Sequence, residues 1–226
     1  MPAANSLVRR LSAARGEVAG RYLLAFLLCT ALVIVSVAWV DRPVAEYVFT
    51  HFRDTALAHW TSQALGSLRL VVLLAVLWLV GLAGWRLSAR PVPSWARTPL
   101  VVSVSGGLAG STTLLLKYFF GRASAYPSYL VQRVYEWRPL RGDASHLAFP
   151  SGVMAVAGAV LTVLCILHPR LRVASAVILF ALAVALIVTN SHWVADVIAG
   201  VFLGIGVGST VLPLCRHLRW GTPTRS

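Results

Sequence analysis

The chain has 226 residues, 58% of them hydrophobic, and its mean hydropathy is +0.77. Its net charge is +13, because 20 lysine and arginine residues outnumber seven acidic ones. This composition excludes an ordinary soluble domain and indicates a multi-pass membrane protein. No nucleic-acid-binding motif accompanies the basic charge, so we expect anionic lipid headgroups, and no nucleic acid, as its partners.

Six apolar segments approach the roughly 20 residues that a helix needs to cross a bilayer. They are residues 22–40, 70–85, 100–116, 152–167, 173–188 and 193–214. No convincing small-residue cleavage site follows the first segment, so we expect a retained helix and not a signal peptide. The sequence therefore predicts an all-α bundle of six transmembrane helices over residues 22–215. A cytoplasmic arm (1–21) would precede it and a cytoplasmic tail (216–226) would follow.

Arginine residues cluster on one side of the predicted membrane. They precede the first span, connect spans two and three and spans four and five, and follow the sixth: Arg9, Arg10, Arg15, Arg21, Arg86, Arg90, Arg97, Arg170, Arg172, Arg216, Arg219 and Arg225. The positive-inside rule makes this side of the cell membrane cytoplasmic, with both termini inside. Residues 117–150, between spans three and four, are then expected to face the periplasm or the extracellular space.

The outward-facing segment 117–150 is itself basic. Its charged side chains are Lys117, Arg122, Arg133, Arg138 and Arg141 against Glu136 and Asp143. Because basic residues are disfavoured on this side, an anionic ligand is the simplest explanation. Lys117 and Arg122 follow the third span directly, where a phosphate headgroup would lie, so we expect them to bind the anion. For Arg133 and Arg141, solvated surface charge is the better explanation.

A Ser-Gly pair begins the fourth span, within the sequence Phe149-Pro150-Ser151-Gly152. The start of a helix offers free backbone N–H groups, and Ser151 adds a hydroxyl, an arrangement suited to phosphate oxygens. Simple helix capping by Ser151 is the alternative. The position of the pair, after the basic residues and before the last span, favours one shared external pocket.

His192 and Asp196 lie four residues apart where the last span begins. On a helix this spacing places both side chains on one face, so that Asp196 can hold the imidazole ring for nucleophilic or acid/base chemistry. A histidine that only caps the helix end is the alternative for His192 alone. An ionised carboxylate in a membrane costs about 2.5 kcal/mol or more, so we expect Asp196 to have a partner and a function.

Cysteine and glycine residues in the spans have no predicted chemistry. Cys29, Cys165 and Cys215 lie in or at the ends of spans and lack metal-ligand spacing, so we expect no metal and no cofactor. Glycine residues recur in the third and sixth spans, where small side chains let helices approach closely.

Three segments together resemble the type 2 phosphatidic acid phosphatase superfamily of integral membrane lipid phosphatases and phosphotransferases. They are residues 117–122, 149–152 and 192–200, and the resemblance covers spans three to six. It implies a six-helix fold with an external site and a phosphohistidine intermediate formed on His192. Asp196 would orient this nucleophile. Lys117 and Arg122 would bind the phosphate, and Ser151 and Gly152 would help to hold its oxygens.

The chain also departs from the family pattern at three phosphate-handling positions. Ser124 and Ala125 stand where the family has Arg-Pro, and Ala185 and Leu186 stand where it has Ser-Arg. Val153 replaces the family's general-acid histidine, and valine cannot protonate a leaving alkoxide. From their place in the sequence, we expect Arg138 to supply a lost positive charge and His146 to replace the acid.

Two functions remain open at this point. The chain is either an active phosphatase or phosphotransferase for a phosphorylated lipid, including diphosphates, or an inactive descendant that binds a phospholipid or a partner protein. The first predicts phosphate release that depends on His192, and the second predicts saturable lipid binding without turnover. Residues 41–67, with Phe49, Phe52 and Trp60, are predicted to lie outside the membrane as an interfacial helix or lid.

Overall fold

A computed structural model of the chain describes residues 2–53, 94–140 and 142–217, together with Thr55 and Gln63. This part of the chain is helical without a strand, which confirms the predicted all-α class. Its long helices are α1 (Pro2–Val35), α2 (Asp41–Phe52), α3 (Ser94–Phe120), α4 (Gly152–Leu167), α5 (Arg172–Val188) and α6 (Val194–His217). The predicted second span, residues 70–85, lies outside the described residues, so the count of six spans stays a prediction.

The described helices have the length and the surface of membrane spans. Within the part of the chain that the structure describes, four helical stretches are long and apolar enough to cross a bilayer: Ala19–Phe52, Trp95–Phe120, Pro169–Val188 and Val194–Cys215. Helix α4 is apolar but shorter, with 16 residues. Large apolar side chains face outward along the bundle, among them Leu115 on α3 and Phe180 on α5, each 72% exposed. Such a surface suits lipid, and the chain is a multi-pass membrane protein.

The helix that contains the first predicted span continues beyond residue 40. A single wider turn, the π-helical Ser36–Val40, joins α1 directly to α2, so the helical path continues to Phe52. The segment predicted to lie outside the membrane, residues 41–67, begins at Asp41, whose side chain is buried and ion-paired with Arg122. This pairing offsets the cost of burying the carboxylate, and the external position of the segment stays a prediction.

Helix α4 lies among α3, α5 and α6, and packs most extensively against α6. Small residues allow this contact, as the sequence predicts. A Cβ atom at Gly200 would lie 2.5 Å from the carbonyl oxygen of Ser151 and 2.9 Å from Cβ of Met154. Only glycine therefore lets the first turns of α4 and α6 approach this closely.

Gly121 ends α3 and turns the chain back over the bundle. Its φ of +57° is in the left-handed region, and a Cβ there would lie 1.8 Å from the carbonyl oxygen of Arg138. The next residue, Arg122, forms an isolated antiparallel bridge with Trp137. The segment 121–151 thus returns to the end of the bundle at which α3 finishes and α4 begins.

Two backbone contacts fix the elements at this end of the bundle. The N–H of Ser151 donates to the carbonyl oxygen of Asp196 at 3.0 Å, which joins the starts of α4 and α6. The N–H of Ala195 donates to Oδ1 of Asp41 at 3.0 Å, which joins α6 to the start of α2. The last turn of α3 and the first turns of α2, α4 and α6 therefore meet.

Candidate functional site

His192 and Asp196 contact each other, although not as two residues on one helix. Helix α6 begins at Val194, so His192 lies in the turn before it. Asp196, in the first turn, reaches back: Oδ2 lies 3.4 Å from Nδ1 of His192 and accepts from the N–H of Trp193 at 3.1 Å. Asp196 is fully buried, whereas the His192 side chain keeps 12% exposure. The carboxylate thus holds one ring nitrogen and leaves Nε2 for other chemistry.

The other oxygen of Asp196 belongs to a buried ion-pair network. Nη1 of Arg122 donates to Oδ1 of Asp196 at 2.7 Å, and Nη2 donates to Oδ2 of Asp41 at 2.5 Å. The guanidinium carbon lies 5.0 Å from the ring centres of both Trp137 and Trp193. These contacts hold the cation in place through charge-assisted hydrogen bonds and cation–π attraction.

Two carboxylates stabilise the charged form of Arg122. Burial by itself disfavours the charged guanidinium, but Asp196 and Asp41 outweigh it and raise the pKa of Arg122 above its ordinary value. Two carboxylates, Asp41 and Asp196, face this one guanidinium, and Asp196 also attracts the ammonium group of Lys117. The imidazole of His192 borders Asp196 in this network.

Arg122 itself is only 1% exposed. Its Nε is buried and has no hydrogen-bond partner among the described residues. Nη1 also keeps a second N–H beyond the one that Asp196 accepts, and a role for Arg122 as a direct phosphate ligand stays a prediction.

Lys117 lies beside the start of α4. Its Nζ donates to the carbonyl oxygen of Leu147 at 2.5 Å. A Cβ atom at Gly152 would lie 3.9 Å from Cε of Lys117, so the two residues are neighbours. Ser151 is fully buried, and its Oγ accepts from the N–H of Met154 at 3.5 Å as the helix cap. One lysine and one helix start therefore adjoin the Asp196 backbone, a combination that suits an anion.

The structure divides the predicted site residues into two groups. One end of the bundle brings together Lys117, Arg122, Ser151, Gly152, His192 and Asp196. The other two, Arg138 and His146, gather around Glu136, at 2.7 Å and 3.3 Å from its Oε1. Desolvation opposes ionisation of Glu136, but hydrogen bonds from Arg138 and His146 outweigh it and lower the pKa of Glu136.

His146 is held at both ring nitrogens. Nε2 faces Glu136, and Nδ1 lies 3.0 Å from Oγ of Ser145. The ring is also buried, at 5% exposure. A role for His146 as the replacement acid stays a prediction, and it would require this ring to leave two hydrogen bonds.

The positions that depart from the family pattern are apolar or locally satisfied. Val153 and Leu186 pack in one hydrophobic cluster with Met154 and Val197. Ala125 is fully buried in a second cluster with Trp193. The Ser124 hydroxyl lies 2.9 Å from the Ser128 hydroxyl. Apolar side chains thus surround Val153 and Leu186, next to the first turns of α4 and α6.

Three residues of the network were missed by sequence reasoning: Asp41, Trp137 and Trp193. For Asp41 a signal existed, because it is one of only seven acidic residues and directly follows an apolar span. The two tryptophans carry no such signal, since their role arises from a contact with Arg122 across the fold. Within residues 2–53, 94–140 and 142–217, no group of three or more His, Cys, Asp or Glu side chains is placed to hold a metal ion.

Comparisons with known proteins agree on one family. A sequence model described as the PAP2 superfamily matches residues 98–220. The lipid A 1-phosphatase of Rhizobium etli is 32% identical over 145 residues, which cover 60% of this chain. The chain spans about 60% of the length of this curated relative.

A solved structure has a similar fold. It is the crystal structure of the first transmembrane PAP2 type phosphatidylglycerolphosphate phosphatase from Bacillus subtilis, with a TM-score of 0.58 and 19% identity. The match covers 87% of this chain and 96% of that one. At this identity the likeness concerns the fold alone.

Proposed function

Because the chain belongs to the PAP2 superfamily, we propose that it is a membrane lipid phosphatase or phosphotransferase that uses His192 as its nucleophile. The observation that carries the proposal is the contact of His192 Nδ1 with Asp196 Oδ2 at 3.4 Å, next to the start of α4 and Lys117. A ring nitrogen held by a carboxylate leaves the other nitrogen basic and oriented, as nucleophilic catalysis requires.

The proposed reaction has two steps. Nε2 of neutral His192 attacks the phosphorus atom, the bond from phosphorus to the leaving oxygen breaks, and that oxygen departs with the bonding pair. Water or an acceptor hydroxyl then attacks the phosphohistidine, the N–P bond breaks, and free phosphate or a phosphorylated acceptor is released. Asp196 stabilises the positive charge that develops on the imidazole in the first step.

Lys117 and the start of α4 supply the phosphate contacts in this proposal. Lys117 donates one of its three protons to Leu147, which leaves two for phosphate oxygens. Ser151 and Gly152 contribute the first turn of α4, whose N–H groups favour an anion. In this proposal Arg122 acts mainly on Asp196, because each of its terminal nitrogens already donates one hydrogen bond to a carboxylate.

The chemistry of the leaving group limits the range of proposed substrates. An alkoxide leaves poorly unless an acid protonates it, and Val153 stands in the acid position. A diphosphate escapes this requirement, because its leaving phosphate already tolerates negative charge. We therefore expect a preference for lipid diphosphates, and the basic segment 117–150 favours a site on the outer face of the membrane.

A second function is favoured by one specific observation. Val153 and Leu186 share a hydrophobic cluster, where the family pattern has a histidine and an arginine. A site that has lost these polar groups to packed hydrocarbon could bind a phosphorylated lipid, or a partner, without turnover. The chain would then be an inactive member of its superfamily.

Phosphate release from purified protein separates the two functions. The substrates are a panel of lipid monophosphates and diphosphates with matched acyl or prenyl chains. We expect release that His192→Ala reduces by at least about a thousandfold, because removal of a nucleophile leaves only the effect of binding. His51→Ala is the matched control, since this exposed imidazole contacts the Tyr47 carbonyl on α2.

Equal rates for the parent protein and His192→Ala would exclude His192 as the nucleophile. Saturable lipid binding without release of phosphate from any member of the panel would establish the inactive function.

A further inference from the structure

Asp41 joins three parts of the fold at the base of the site. Its Oδ2 accepts from Nη2 of Arg122 at 2.5 Å, and its Oδ1 accepts from the N–H of Ala195 at 3.0 Å and from the hydroxyl of Ser36 at 2.8 Å. The residue is 1% exposed. An isolated carboxylate this deeply buried is costly, so these contacts offset a large desolvation penalty.

The contacts of Asp41 lead to the proposed nucleophile by two routes. The first route runs through Arg122. Asp41 holds one terminal nitrogen of the guanidinium and so fixes the position of the other, which donates to Oδ1 of Asp196. Oδ2 of Asp196 in turn holds His192. Through the N–H of Ala195, Asp41 caps the first turn of α6 from another helix. This turn carries Asp196 and follows directly on His192. Both routes act on the orientation of one imidazole ring.

We propose that Asp41 is a positioning residue for His192, acting through Arg122 and Asp196. This inference rests on the proposed function of the site. Asp41 touches neither the ring nor the start of α4, so its effect is transmitted entirely by these partners. The residue belongs to α2, outside the segments that resemble the superfamily motifs, and nothing in those motifs assigns it a role.

The isosteric change Asp41→Asn isolates this role. The amide can keep an oxygen toward Ala195, but it then turns an NH2 group toward Arg122, so that two donors oppose each other. The guanidinium, having lost one carboxylate, moves its hydrogen bonds toward Asp196. Oδ2 of Asp196 is then drawn away from His192, and the ring loses the contact that orients it.

We expect Asp41→Asn to lower kcat by about 10- to 100-fold, the scale found for outer residues that orient an imidazole. KM should stay within about twofold of the parent value, because Asp41 does not contact the lipid. Glu46→Gln is the matched control. It removes a carboxylate from the same helix, where Glu46 accepts from the Tyr129 hydroxyl at 2.5 Å, and should leave kcat unchanged.

Vanadate and inorganic phosphate provide a test that needs no turnover. Vanadate resembles the five-coordinate transition state and needs an oriented nucleophile, whereas phosphate needs only the anion contacts. We expect Asp41→Asn to raise the Kd of vanadate about tenfold and to leave the Kd of phosphate within about twofold. A merely structural role for Asp41 would weaken both ligands together and lower kcat in parallel with Tm, and that result would overturn the inference.

If Asp41→Asn does not fold, Ser36→Ala gives the test. It removes the hydroxyl that fixes Oδ1 of Asp41 and should lower kcat about threefold, with KM unchanged.

The remaining outcomes separate the two proposals. If the parent protein is active and the folded Asp41 variant, or the Ser36 variant, has an unchanged kcat, the positioning role of Asp41 is contradicted and the proposed function is not. A parent protein that releases no phosphate contradicts the proposed function, and the ratio of vanadate to phosphate affinity then decides the role of Asp41.

Discussion

Asp196 serves two partners with its two carboxylate oxygens. One oxygen accepts from Arg122, and the other faces His192 and the N–H of Trp193. Because both oxygens are occupied, the carboxylate cannot rotate without breaking at least one contact. The ring of His192 is thereby tied to a buried network that ends at Asp41, and a single side chain couples the site to the helix bundle.

Val153 tests the role of the missing acid. An imidazole at this position would protonate a leaving alkoxide, so we expect Val153→His to raise hydrolysis of lipid monophosphates by about tenfold or more. Hydrolysis of a matched lipid diphosphate should change less than about twofold, because its leaving group does not need the proton. Phosphate release from the matched pair of lipids measures both rates.

The apolar surroundings of residue 153, which include Leu186, limit the gain in rate expected from Val153→His. The new imidazole would lie against the apolar cluster of Leu186, Met154 and Val197, which favours its neutral form. Val153→Ala is the control that opens the same space without an acid, and it should not raise the rate. Equal rates on the monophosphate and the diphosphate by the parent protein would contradict the explanation based on the leaving group.

At the scale of the helices, the site depends on the contact between the first turns of α4 and α6. The Ser151 N–H donates to the carbonyl oxygen of Asp196, and Gly200 lies directly against Ser151 and Met154. The helix start that is proposed to bind phosphate is thus held at a fixed distance from the proposed nucleophile. Any side chain inserted between these turns would move one relative to the other.

Gly200→Ala is expected to destabilise the protein by about 1–3 kcal/mol and to reduce phosphate release at least tenfold. Its Cβ would lie 2.5 Å from the Ser151 carbonyl oxygen, so the two turns must separate. Gly206→Ala on the same helix is the matched control, because nothing lies within 4 Å of a Cβ there. Thermal unfolding in detergent and phosphate release measure the two effects, and identical behaviour of both variants would show that the contact does not position the site.

At the scale of the whole molecule, the buried charged residues and the exposed apolar side chains lie in different parts of the bundle. Exposed apolar side chains cover α1 and α5, whereas the buried charges gather at the end where α2, α4 and α6 begin. A substrate with a phosphate headgroup and a hydrocarbon tail matches this separation, since its headgroup can reach the charged end while its tail stays in lipid.

The orientation of this charged end is tested by labelling a cysteine in intact cells. Arg133 is exposed in segment 117–150, and we expect Arg133→Cys, in a background without Cys29, Cys165 and Cys215, to react with an impermeant maleimide from outside. Arg170→Cys, between α4 and α5, should react only after permeabilisation. The opposite pattern would reverse the orientation and with it the proposed external site.

The sequence alone predicted the class of the molecule and the residues of its motifs. Long apolar segments allow little else than membrane helices, because every backbone polar group in lipid must be satisfied within the helix. The described helices and the family match confirm this class and the resemblance. The order of Lys117, Ser151 and His192 along the chain suggested one shared pocket, and the structure brings the three residues to one end of the bundle, while their roles stay a prediction.

Only the tertiary structure decided how the charges of the site are paired. Nothing in the sequence indicated that Asp41 and Arg122 would meet, and the fold places both in one buried network with Asp196. Along the chain, Arg122 lies 81 residues from Asp41 and 74 residues from Asp196. Local sequence patterns predict which residues share one face of a helix. They do not predict which distant charged residue will pair with another when both are buried.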